Sequence, residues 1–121
     1  MWRLTVRAGP RVKRASFADL DEALAELETR VRELADAAGR EPVDVRFRRF
    51  EPVQQVTARV ELAGPQRLLA ATRVGVDVRG DGSTEAYMGR VRRRLIEPRR
   101  RESAVDALRR ELASPNSDLK T

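Results

Sequence analysis

The sequence predicts an α+β fold: a single antiparallel sheet of about four to six strands, with one long acidic helix and a short C-terminal helix packed on one face. Three features carry that reading. Apolar and polar residues alternate in several short stretches, apolar residues recur every three or four positions in one long stretch, and Gly, Pro and Asp clusters separate the stretches. At 121 residues the chain has room for one modest core, so residues 1–113 are expected to form one domain and residues 114–121 a flexible tail.

The first stretch sets Trp2, Leu4, Val6 and Ala8 against Arg3, Thr5 and Arg7, the period of a half-buried strand. Gly9-Pro10 turns the chain, and residues 12–17 return as the second arm of a hairpin. Asp19 and Glu22 then have capping-box spacing, followed by Leu20, Leu24, Leu27, Val31, Leu34 and Ala38 at helical intervals. A helix over residues 20–38 follows, with Gly39 expected to end it and Pro42 to prevent its resumption. Glu26 with Arg30, and Glu28 with Arg32, stand at the favourable i,i+4 spacing. The leucine stripe also fits a short coiled-coil seam, but fewer than about three heptads are sustained, so packing on the chain's own sheet is expected.

Past Pro42 the period returns to two. Val43, Val45 and Phe47 oppose Asp44, Arg46 and Arg48, and Val56, Ala58, Val60 and Leu62 oppose Gln55, Thr57, Arg59 and Glu61. Gly64-Pro65 is read as the next turn, and a further strand runs to Arg79 with Val74, Val76 and Val78 inward. Gly80-Asp81-Gly82-Ser83 supplies residues that tolerate positive φ, as tight hairpins require. In residues 84–97, Tyr87, Val91 and Leu95 fit either a helix stripe or the inward positions of a strand. Gly89 and the preceding turn favour the strand, which would also turn Glu85 inward, beside Arg93, as a structural ion pair. Ser103 and Asp106 form a second capping box before a helix over residues 104–113.

Charge is distributed unevenly. Residues 1–16 contain Arg3, Arg7, Arg11, Lys13 and Arg14 and no acid, whereas the long helix is acidic and the sheet beyond it is basic again. Of the 25 basic residues all but Lys13 and Lys120 are arginine, and the net charge is +6. If the strand phases are right, Arg46, Arg48, Arg59, Arg73, Arg79, Arg90, Arg92 and Arg94 project from one open face. Guanidinium groups suit phosphate because they are permanently charged and donate paired hydrogen bonds. The leading expectation is therefore a small binding module that contacts nucleic acid, RNA in particular, through phosphates. The alternative is a protein-interaction or self-assembling module, in which these arginines meet acidic surfaces of a partner or of another copy. Arginine enrichment equally suits a solvated face in a chain of biased composition.

Several chemistries find no support. With no Cys and no His the usual thiolate, proton-shuttle and soft-metal ligands are missing, and no Gly-rich phosphate loop is present. Residues 77–88 superficially match an EF-hand loop, but Arg79 would stand in the ligand shell and Met88 replaces the closing glutamate. Arg79-Gly80-Asp81 matches an adhesion tripeptide, yet a hairpin turn explains it better. Carboxylates, Ser16, Ser83, Ser103 and Tyr87 have no partner at a catalytic spacing, so the expectation is a non-enzyme without cofactor or metal. No apolar run approaches the ~20 residues of a membrane span, and the N-terminus has no signal-peptide h-region; a cytoplasmic, membrane-free protein is expected.

Phe47 falls on an inward position and Phe50 alone is outward, so base stacking on the sheet is unsupported. The order of helix, three strands and terminal helix is similar to that of double-stranded-RNA-binding domains. The fourth strand departs from that pattern and none of their motif residues is present, so no family is assigned.

Overall fold

In the computed structural model, residues 1–40, 55–67, 70–89 and 93–113 are described. Strand β1 (Trp2–Ala8) turns at Gly9-Pro10 into β2 (Arg11–Phe17), and Ala8 pairs with Arg11 across the turn. Gly9 has φ of 59°, which the first central residue of a type II′ turn requires, and the fixed negative φ of Pro10 suits the second. After the hairpin, helix α1 (Leu20–Arg40) crosses to β3 (Val56–Arg67), which lies antiparallel to β1. A meander of β4 (Ala70–Arg79), β5 (Thr84–Met88) and β6 (Arg94–Ile96) follows, and α2 (Ala104–Ala113) ends the described chain. The spatial order is β2-β1-β3-β4-β5-β6, every neighbouring pair antiparallel.

Both helices cover the same face of this sheet, as the sequence predicts. Leu4 on β1, Val60 and Leu62 on β3, Val74, Val76 and Val78 on β4, and Ala86 and Met88 on β5 are buried beneath them. From α1 the stripe of Leu24, Leu27 and Val31 closes the core over β1, β3 and β4, so the leucines pack on their own sheet. Val105 and Leu108 of α2 do the same over β5 and β6. An ion pair from Arg109 to Glu28, 3.0 Å, joins the two helices. No helix among the described residues is long and apolar enough to cross a membrane.

Local signals decide the helix ends. The box at α2 forms as expected: the Asp106 amide donates to Ser103 Oγ at 3.0 Å, and the Ser103 amide to Asp106 Oδ2 at 3.3 Å. At α1 the cap is one-sided, with the Asp21 amide donating to Asp19 Oδ1 at 3.4 Å. Arg30 bonds Glu26 at 2.8 Å and Arg32 approaches Glu28 at 3.5 Å, the two i,i+4 pairs the sequence offers.

Four expectations are corrected. Helix α1 does not stop at Gly39 but runs through it to Arg40. The β4–β5 turn approaches the helix there through Gly82, at φ 88°, where a Cβ would strike the Ala35 carbonyl and crowd the Gly39 backbone. Gly64-Pro65 is not a turn: β3 continues to Arg67, and the pair sits where its register with β4 shifts between Ala63 and Gln66. A side chain at Gly64 would strike the Trp2 ring, so that glycine makes room for the indole.

The third correction concerns residues 84–97, which are two strands separated at Gly89, φ 124°, rather than one. The fourth is their phase. Ala86, Met88 and Ile96 face the core, while Tyr87 and Leu95 point to the opposite side, one residue out from the expected pattern. The expected strand at 43–48, Val91 and the tail at 114–121 lie outside the described residues.

Leu27, fully buried between α1 and the sheet, tests the assembled core. Leu27→Ala is expected to lower stability by about 2–5 kcal/mol, read from the urea midpoint, because the rigid sheet beneath it cannot collapse into the space.

Candidate nucleic-acid interface

No described helix packs on the other face of the sheet. Register and alternation set its side chains in three rows across the strands. The first row holds Ser16, Arg3, Ala63 and Arg73; the second Arg14, Thr5, Glu61, Gly75 and Tyr87; the third Val12, Arg7, Arg59, Asp77 and Glu85. Arg79 follows one step along β4.

The centre of this face is a polar network built around Tyr87. Its ring lies across β4 on Gly75, where a Cβ would collide with the ring and the hydroxyl. The hydroxyl donates to Glu61 Oε2 at 2.6 Å, two strands away. Arg93 stacks over the ring at 4.7 Å and Arg59 flanks it at 5.7 Å, so the phenol is only 1% exposed despite facing away from the core. Arg59 donates through Nε to Asp77 Oδ1 at 2.6 Å and through Nη2 to Oδ2 at 3.3 Å. That paired bond to Asp77 holds the Arg59 guanidinium above its already high pKa. Burial first, and then the hydrogen bond to the Glu61 carboxylate, push the Tyr87 phenol well above its ordinary value.

Of the eight arginines the sequence assigns to the open face, Arg59, Arg73 and Arg79 are on it. Arg59 is tied to Asp77, and Arg79 donates to Glu85 at 2.7 Å. Glu85 is therefore not turned inward toward Arg93; its strand phase puts it on the outer face beside Arg79. Arg94 is on the opposite, helix-covered face, because Ile96 two residues on must enter the core. There Arg94 meets Glu111 of α2 at 3.1 Å and the Met88 sulfur at 3.4 Å. Arg46, Arg48, Arg90 and Arg92 lie outside the described residues.

The sequence reading left three arginines out of the site that the register brings into it: Arg3, Arg7 and Arg14. The signal was present in the strict alternation of Arg3, Thr5 and Arg7 with Leu4 and Val6. Arg3, Arg7, Arg14 and Arg73 are exposed and form no ion pair among the described residues. Each acid of the rows is already engaged, Glu61 by Tyr87, Asp77 by Arg59 and Glu85 by Arg79. Arg3 and Arg73 stand two strands apart, roughly 10 Å, and Arg3 and Arg7 about 13 Å along β1.

On the opposite side of the molecule α1 exposes Asp21, Glu22, Glu33 and Asp36. Among the described residues no three acidic, His or Cys side chains converge as a metal site would need. No protein-family model, no curated protein and no solved structure matches this chain.

Tyr87 is the single tyrosine, so absorbance at the phenolate band reports it alone. The unfolded chain releases this proton near pH ~10 and the folded one only higher, so the contribution of Tyr87 to stability is complete below about pH 10 and is lost as pH rises beyond it. A native titration delayed relative to the chain in urea, with a urea midpoint that declines above about pH 10, is expected. Gly75→Ala, which displaces the ring, should bring the native titration back toward the unfolded one.

Proposed function

We propose that this protein is a non-enzymatic binding module that holds duplex nucleic acid by its phosphates on the helix-free face of the sheet. The observation that supports the reading most is the division of charge on that face: Asp77 and Glu85 are paired to Arg59 and Arg79, Glu61 is held by the Tyr87 hydroxyl, and Arg3, Arg7, Arg14 and Arg73 form no ion pair among the described residues, which leaves cations in excess. Fixed guanidinium groups of this kind bind the phosphate backbone with little regard to base sequence. The acidic α1 on the far side turns a polyanion away from the helices and toward the sheet.

The class of nucleic acid follows from Tyr87. Single strands are gripped by stacking bases on exposed rings, and Tyr87, the aromatic residue in the rows of this face, is occluded by Arg59 and Arg93. A duplex, whose bases are already stacked, asks for cations and shape.

Fluorescence anisotropy with duplex RNA, duplex DNA and single-stranded RNA, over about 50 to 200 mM salt, tests the proposal. Both duplexes are expected to outbind the single strand, the RNA and DNA arms showing which helix shape fits better. Simultaneous Arg3→Ala, Arg7→Ala and Arg73→Ala should lower the logarithmic salt slope by about one unit for every phosphate no longer neutralised. Absence of binding at low salt, or a triple variant with the parent slope, contradicts it.

A further inference from the structure

Among the described residues β2 ends the sheet, and its free edge is built differently from a merely protected one. The strand is seven residues long, regular in its pairing with β1 from Arg11 to Phe17, and contains no proline. The closing pair of a two-residue hairpin is hydrogen-bonded, so the ladder alternation turns the amides and carbonyls of Val12, Arg14 and Ser16 away from β1. These groups form a regular row open to another extended chain.

Beside the edge, α1 does not cover the sheet completely. A groove of about 300 Å³ opens there, with Leu4, Val6 and Ala15 offering apolar surface and Lys13, Arg14 and the Glu26–Arg30 pair offering polar groups. Glu26 is engaged by Arg30 at 2.8 Å, so the cations of β2 set the charge of the site. Arg11, Lys13 and Arg14 are all exposed, and residues 11–17 contain no acid.

That charge selects the occupant. A second copy pairing β2 with β2 would bring three cations against three cations, an arrangement that cross-strand repulsion disfavours. An acidic chain meets attraction at the same positions, and its backbone can use the open hydrogen-bonding row. We infer that the β2 edge and its groove form a docking site for an extended acidic peptide of a partner protein, added as a further strand of the sheet. The acidic side chains lie beside Arg14 on the outer face, and the small apolar ones that alternate with them enter the groove over Ala15, on the face that Lys13 shares.

The probe is an N-acetylated peptide of about ten residues alternating glutamate and valine, titrated into the full chain and followed by isothermal calorimetry and amide shifts. Saturable binding is expected, with the largest shifts at Val12, Arg14 and Ser16, and affinity about tenfold or more lower for the variant carrying Lys13→Glu and Arg14→Glu. Two peptides N-methylated at alternate amides separate strand pairing from charge attraction alone. Pairing predicts that one set abolishes binding and the other retains it, since only one set faces β2. No binding, equal effects of the two sets, or equal binding of a lysine–valine peptide overturns the inference. Arg14 belongs to both surfaces, so the comparison of the two N-methylated peptides, made on the parent chain with Arg3, Arg7, Arg14 and Arg73 unchanged, is the arm whose outcome is independent of the nucleic-acid reading.

Discussion

Three valines at alternate positions of β4, Val74, Val76 and Val78, are fully buried, and the phase they impose governs the rest of the molecule. A strand slipped by one residue would expose all three and bury Asp77 in their place, a cost no surface contact offsets. With β4 locked, antiparallel register places Leu62 and Val60 of β3 and then Leu4 and Val6 of β1 on the same face. The other face receives whatever residues stand between them. Its chemistry is thus a by-product of core packing at some positions and a distinct arrangement at others.

The two kinds of position can be told apart. Around Gly75 the residues are mutually satisfied: the Tyr87 ring occupies the space that a glycine leaves, Glu61 accepts the hydrogen bond of its hydroxyl, and Asp77 and Glu85 neutralise Arg59 and Arg79. The two ion pairs, between partly buried groups, fix side-chain positions and offset the negative charge of Asp77 and Glu85. Toward β1 and β2, Arg3, Arg7 and Arg14 have no such counterparts among the described residues. Structural economy does not require those cations, and this is why the functional reading rests on them rather than on Arg59 or Arg79.

Much of this was legible in the chain. Alternation identified the hairpin, β3 and β4, and helical spacing with capping residues identified α1 and α2, because each of these elements buries a regular stripe against the core. The failures share a cause. Gly39 and Gly64 have the composition of stops, yet α1 runs through the first, with Gly82 of the β4–β5 turn packed beside it, and the second makes room for the Trp2 ring. Tyr87 reads as inward by its spacing to Val91 and Leu95; it is buried, but on the far side of the sheet, under two arginines. Its position depends on Gly75 of the neighbouring strand, a contact that no local pattern encodes. That one-residue phase difference moved Glu85 outward and Arg94 inward with it.

The central proposal is that the arginines of the helix-free face with no ion-pair partner among the described residues receive phosphate, and heteronuclear NMR of the arginine side chains addresses it most directly. On titration with duplex RNA, the Nε–H resonances of Arg3, Arg7, Arg14 and Arg73 should move together and saturably, while those of Arg30 and Arg109, paired to acids of α1, stay in place. Shifts centred on the α1 side, or uniform shifts across both groups, would contradict the account.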